Sequence, residues 1–499
     1  MKKTILSLTI ILNLTLTIKL YSQEFDKIKN KIDVKKSVVK IYTVKTKPYN
    51  YNPWNMLSPV TVSGSGAIIE GNLILTNAHV VSDHTFIQVR LYGSAKKYRA
   101  QVLATSHEAD LAILTLEDKS FFSGTIPLKL GPLPEIQEKV TVYGFPEGGD
   151  ALSITEGVIS RIEHNIYAHS SHNFLTIQID AAINSGNSGG PVLVNNKIIG
   201  VAMQARVSSE NIGYIIPVPI IRHFLEDLKD GQYHGFPEEG LYIQSLENED
   251  LKSKYGLAKD ETGVLVLAVL PGSPCEGIVK ALDVVLSIDG HQLADDGTVE
   301  FRPNERTSGS YYVQLHQIGE QMRLKILRDK IKKNVLIKLS KNGDELQLIP
   351  KERYDRKPTY FIYGGLVFTI LSKDYFKIWG KNWQTYAPAD LQKMLYYGIK
   401  KNTDQEIVVL MKVMPHEINK GYHNISDYII TAVNGENINN IKDLIRLVEQ
   451  NQNKEYIEFI SSHKIKIVLN TQKVKDSQKE IFKIYNIPVD RSSNLLETE

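Results

Sequence analysis

The run Gly-Asn-Ser-Gly-Gly-Pro at residues 186–191, followed at once by Val-Leu-Val, constrains this chain more than any other stretch. A plain hairpin needs one or two glycines where the backbone turns through positive φ. Three glycines around Ser188 demand more. They clear side chains from both flanks of a hydroxyl, on the threshold of a buried strand. Taken alone, the stretch allows two readings, a turn serine or a nucleophile.

Its surroundings are β-structure. From Val38 to Ile216 the chain is a series of short β-branched segments parted by turns, such as SVVKIYTV (37–44), GAIIEGNLILTNA (66–78), KVTVYGF (139–145), FLTIQID (174–180) and KIIGVAM (197–203). Many short strands with Gly and Asn turns predict an all-β barrel or sandwich. PIIRHFLEDLKDG (219–231) changes to helical spacing and stops at Gly231, closing a first domain over about residues 30–231. QYHGFPEE (232–239) has the composition of a linker.

A weak repeat follows. EEGLYIQSL (238–246) is echoed by YGGLVFTIL (363–371), and DVVLSIDGHQL (283–293) by DYIITAVNGENI (427–438). Each copy opens on a Gly-Leu strand and later carries an Asp, an alternating strand and an Asp-Gly or Asn-Gly turn. The expected modules are small α+β units over residues 236–345 and 355–475. A helix and fraying tail are expected over 476–499.

Lys2 and Lys3 precede the uncharged run Thr4–Ile18, the charge order and core length of a signal peptide. Cleavage after Ser22 would remove Lys2, Lys3 and Lys19 and no acid, taking the net charge from +3 to zero. A neutral chain gives no electrostatic reason to bind nucleic acid or an anionic membrane. The single cysteine, Cys275, excludes intrachain disulfides and Cys-based zinc sites and suits an exported compartment. The expected location is periplasmic or otherwise extracytoplasmic, with no stable membrane span after cleavage.

Two further segments decide between the readings of Ser188. ILTNAHVV (74–81) sets His79 just past an apolar strand, and HEADLAIL (107–114) sets Asp110 at the mouth of another. The order His, Asp, Ser is one known solution to the triad geometry. A serine hydroxyl must lose its proton as it attacks. His79 would take that proton and return it to the leaving amine. Asp110 would fix the tautomer of His79 and stabilise its charged form. The amides of Gly186, Asn187 and Ser188 are the candidates for an oxyanion hole.

TNAHVV, ADLAIL and INSGNSGGPV together resemble the Deg/HtrA family of trypsin-fold serine proteases. ETGVLVLAVLPGSP (261–274), DDGTVEFRPNER (295–306) and PTYFIYGGLVF (358–368) extend the likeness to the plant-type Deg subgroup, over about residues 35–490. The resemblance implies a trypsin-like double β-barrel followed by two PDZ modules, so a mainly β chain with α+β modules. It implies unfolded or damaged proteins as substrates, assembly in trimers or multiples of them, and no metal or cofactor. In the resembling family the segment around EHNIYAHSSH (163–172) is a sensing loop.

PDZ carboxylate loops often read Gly-Leu-Gly-Phe. Here they read Gly240-Leu241-Tyr242-Ile243 and Gly365-Leu366-Val367-Phe368, without the second glycine. A side chain there narrows the loop, so peptide capture is expected to be weak in the first module and absent in the second. The runner-up function is a PDZ-bearing chaperone or scaffold with a resting protease site. His164, His169 and His172 read as an exposed loop rather than a metal site, Asp83 as a turn residue, and Cys275 as packing. NPWNML (52–57) suits either a cover over the active site or a subunit contact.

Overall fold

The alternating segments close two six-stranded barrels. A computed structural model describes residues 33–205 and 212–496, so the expected leader, residues 1–22, lies outside the described residues. The first barrel contains β1 (Val38–Lys45), β2 (Val60–Ile69), β3 (Leu73–Thr76), β4 (His84–Leu91), β5 (Tyr98–Ser106) and β6 (Leu111–Leu116). Its strands join in the order β1-β2-β3-β6-β5-β4. The second contains β7 (Lys139–Gly144), β8 (Ser153–Ile166), β9 (Asn173–Ile179), β10 (Pro191–Val194), β11 (Lys197–Ala205) and β12 (Gly213–Pro217), in the order β10-β11-β12-β9-β8-β7.

Period-2 alternation sends one row of each strand into its own barrel. Val39, Ile41, Ile68, Ile74, Val89 and Leu114 fill the first, and Val142, Ile159, Ile177, Val192 and Ile215 the second. A third apolar layer joins the barrels, with Val38, Leu75, Leu111 and Ile113 meeting Leu193, Val201 and Ile216. Each such side chain contributes about 1.5–3 kcal/mol by leaving water. The helix Val218–Asp227 starts behind Pro217, buries Ile220, Ile221 and Phe224 on this layer, and ends in a tighter turn capped by Gly231 at φ 87°. The expected linker is no free tether, because Phe236 is buried and stacks on His223, 3.9 Å between ring centroids.

In the first module the strand Leu241–Ser245 is an edge of its sheet. Tyr242 and Ile243 are 51% and 46% exposed, so the free side of this strand faces water. The second module is built differently. Strand Leu366–Ile370 pairs with Val408–Val413 on one side and with Tyr360–Tyr363 on the other. The outer side of Tyr360–Tyr363 is held in turn by the tail, where the amide of Ile362 donates to Asp490 and that of Ser492 to Tyr360. The carboxylate-loop reading of Gly365, Leu366, Val367 and Phe368 is corrected here. Both edges of their strand are taken by the chain itself, and all four are buried.

As far as residue 496 the tail does not fray. The helix Thr471–Ile484 buries Val474 and Ile481, and residues 490–492 complete the sheet of the second module. NPWNML is drawn toward the second module. Trp54 packs into the second module against Tyr360, and Lys412 donates to the carbonyl of Tyr51 at 2.6 Å.

Candidate active site

His79, Asp110 and Ser188 come from three separate segments and converge where the two barrels meet. Asn77 leads out of β3 into the short helix Ala78–Val81 that carries His79. The side chain of Asn77 donates to the carbonyl of Asp110 at 2.9 Å, tying the two segments together. Asp110 ends a tight turn before β6 at φ 53°, a left-handed conformation uncommon outside glycine and tolerated by Asp. Its carboxylate is fully buried. One oxygen accepts from the amide of His79 at 2.8 Å, and the other lies 2.7 Å from His79 Nδ1. Burial works against this carboxylate. The charge and hydrogen bonds of His79, with His169 nearby, outweigh it and hold the pKa below the ordinary value. His79 Nδ1 beside an ionised carboxylate carries the proton, which leaves Nε2 as an acceptor.

Ser188 lies in the glycine knot ahead of β10. Gly189 has φ 85°, and a Cβ on it would run into the carbonyl of Ser65 and the hydroxyl of Thr76. Gly186 has φ 93°, and a Cβ there would meet the backbone of Phe145 and Glu147. These close approaches explain the glycines that the sequence places around one serine. The knot is pinned to the first barrel by Ser65, whose amide donates to the carbonyl of Ser188 at 2.8 Å and whose hydroxyl donates to that of Gly186 at 2.7 Å. Ser65 is absent from the sequence reading, although the small-residue run Ser63-Gly64-Ser65-Gly66 in an otherwise apolar strand is a usable signal.

The hydroxyl of Ser188 does not reach His79. It donates to the carbonyl of Met203 at 3.1 Å. Among the described residues, the amides of Gly186 and Ser188 have no acceptor. Asn187 is corrected as an oxyanion donor, because its amide is committed to the carbonyl of Asn184 at 2.9 Å. The pair Gly186 and Ser188 is therefore what the knot offers to a developing oxyanion.

The three histidines of 163–172 are not exposed, although Ile166 and Ala168 between them are. His164 Nδ1 is 2.7 Å from Thr307 Oγ1 of the first module, His172 Nε2 is 3.1 Å from Asp344, and His169 stacks on Tyr354, 3.9 Å between centroids. Three different partners hold the three imidazoles. Asp83 is a turn residue at φ 55°, and burial pushes the Cys275 thiol pKa up, away from reactivity.

Burial pushes His164 down to about 4 and His169 down to about 3. The unfolded chain binds protons at these positions below about pH 6.5 while the folded chain does not, so stability falls as the pH drops from about 6.5 toward 4. Thermal unfolding followed from about pH 7 to about pH 5 should show a falling Tm. His164→Gln, which hydrogen-bonds but does not titrate, should reduce that fall; an equal fall in parent and variant would refute the assignment.

A trypsin-like peptidase domain model matches residues 64–201, and a PDZ domain model matches residues 349–494. The chain is 37% identical over 92% of its length to a putative protease Do-like 3, mitochondrial, of Arabidopsis thaliana, covering 80% of that protein. It is 38% identical over 91% of its length to protease Do-like 4, mitochondrial, covering 84% of it, and 37% identical over 92% to protease Do-like 2, chloroplastic, covering 75%, both from the same plant. Likeness of that depth across peptidase and PDZ regions together places the chain in the Deg/HtrA family, as a serine endopeptidase of the plant-like Do type.

Proposed function

We propose that the chain cleaves unfolded or damaged proteins by acyl transfer through His79, Asp110 and Ser188. The observation that carries this is the buried Asp110 gripping His79 by amide and ring at the same junction as Ser188 and the two free amides. In the working state the Ser188 hydroxyl turns from Met203 to His79 Nε2, which takes its proton as Oγ attacks the scissile carbonyl. The amides of Gly186 and Ser188 then receive the oxyanion, a contribution of about 2.7–4 kcal/mol per donor. His79 returns the proton to the leaving amine, and water repeats the sequence to free the acid. The substrate backbone adds as a strand at the end of β11 past Ala202, where its pairing with β10 and the glycine knot stops, and Ile183 with its apolar neighbours favours a small or medium apolar side chain at the cut. Digestion of casein by the purified chain, with folded proteins spared, tests this; a chain inert toward casein would not be such a protease.

A second reading has one observation in its favour. Ser188 bonded to Met203 rather than His79 is a resting arrangement, in which the chain acts as a PDZ-bearing scaffold until substrate turns the hydroxyl.

The open edge Leu241–Ser245 of the first module would take an apolar peptide end, whereas the closed strand Leu366–Ile370 would not. A free carboxylate at that end gains charge-assisted bonds from loop amides. With full-length Ser188→Ala protein, amidating such a peptide should weaken binding at least about tenfold. Ile243→Asp should abolish binding, and residual binding through the second module would contradict the assignment. The proposed compartment is extracytoplasmic and the proposed assembly a trimer or a multiple of it; fractionation and light scattering on the native protein test these.

A further inference from the structure

His107 opens the turn that ends in Asp110, whose amide donates back to the His107 carbonyl at 3.3 Å. Both nitrogens of His107 are held. Nε2 lies 2.8 Å from the carboxylate of Asp355, and Nδ1 lies 3.1 Å from Nε2 of His169. A carboxylate only accepts, so Nε2 of a neutral His107 carries the proton. Nδ1 then accepts, and the bonds run from His169 to His107 to Asp355. Tyr354 stacks on both imidazoles, with centroids 3.9 Å from His169 and 4.8 Å from His107, and its hydroxyl, with one proton to give, lies 2.5 Å from the carbonyl of His169 and 2.6 Å from the carboxylate of Glu352. The His169 ring is in turn 6.0 Å from that of His79. Asp355 also accepts from the amide of Asp83 at 2.5 Å and donates its own amide to Asp83 Oδ1 at 2.9 Å, two residues past the helix that carries His79.

Tyr354 and Asp355 belong to neither barrel. They lie in the linker that joins the short helix Gly343–Leu346 of the first module to the strand Tyr360–Tyr363, inside the range 349–494 that the PDZ model matches. We propose that they are positioning residues for the His79–Asp110 pair, so that the protease reaches full turnover only with the inter-module linker docked on His107, His169 and Asp83. The inference rests on the triad reading above. Neither residue is placed against substrate; both act through the turns that flank the pair. Because the linker runs straight into the second module, the position of that module bears on the active site even though its own peptide edge is filled. Coupling through a packed chain of this kind is typically modest, and a contiguous contact set with two arrangements is what transmits it.

The test uses the full chain with Tyr354→Ala, Tyr354→Phe and Asp355→Ala, assayed on a fluorogenic peptide for kcat, KM and the pH profile of kcat. Tyr354→Ala and Asp355→Ala should each lower kcat about tenfold with KM little changed. The acid limb should move to lower pH, since a loosened Asp110 stabilises the charged imidazole less. Asp110 and His169 face this imidazole, and the ammonium of Lys45 bonds the His79 carbonyl beside it. Tyr354→Phe keeps the stack and should restore most of the turnover. Parent-like kcat and acid limb in both alanine variants, or faster turnover in either, would overturn the proposal. A parent no more active than Ser188→Ala would instead defeat the triad reading and leave the linker question apart from it.

Discussion

Ser188→Ala is expected to lower turnover by about 10⁶-fold, leaving the residual rate that binding and the oxyanion amides supply. The loss should be almost purely catalytic. The Ser188 hydroxyl makes one hydrogen bond, to the carbonyl of Met203, and the knot is held by backbone and by Ser65. Thermal stability should therefore stay within about 0.5 kcal/mol of the parent, as for substitutions that remove no buried packing. Casein digestion at the parent rate would show that another residue is the nucleophile.

Asp110→Asn should cost about 10⁴-fold near neutral pH. The change keeps the shape of the side chain but offers His79 Nδ1 an amide where an acceptor stood, which favours the wrong tautomer. Asp110 is fully buried and also accepts from the His79 amide, so some loss of stability should accompany the loss of rate. The two effects separate by pH. A carboxylate whose folded pKa is depressed stabilises the fold above its unfolded pKa, and that contribution disappears as the pH falls through the folded value. The stability difference between parent and Asp110→Asn should thus shrink in acid, measured by denaturant unfolding at several pH values, whereas the rate difference is read near neutrality. A variant with parent-like kcat would remove Asp110 from the mechanism.

Local pattern reveals much of this molecule. The barrels were legible because each strand shows its buried row within a few residues, and the glycine knot because its close approaches leave no room for a Cβ. The repeat exposed two modules because Asp-Gly and Asn-Gly turns recur with the same neighbours. What stayed hidden is pairing between distant segments. Nothing near Tyr360 announces that it will flank Leu366–Ile370, or that residues 490–492 will close the far side. Trp54 looked like a loop aromatic, and its pocket is formed some 300 positions later, around Tyr360. Polar residues in 163–172 suggested solvent, whereas partners from the first module and the inter-module linker cover their imidazoles. The rotamer of Ser188 is beyond any pattern, because residue types do not encode which way a single side-chain torsion turns, here to the carbonyl of Met203.

The most direct measurement is labelling of the purified chain with a fluorophosphonate, followed by peptide mapping. The reagent needs a deprotonatable serine and a formed oxyanion hole together, so it reports the two halves of the site at once. A single phosphonylated residue, Ser188, is expected, with slow labelling in the resting chain, faster labelling when an unfolded protein is added, and none in Ser188→Ala. Casein digestion without labelling of Ser188, or labelling that maps to another serine, would contradict the triad.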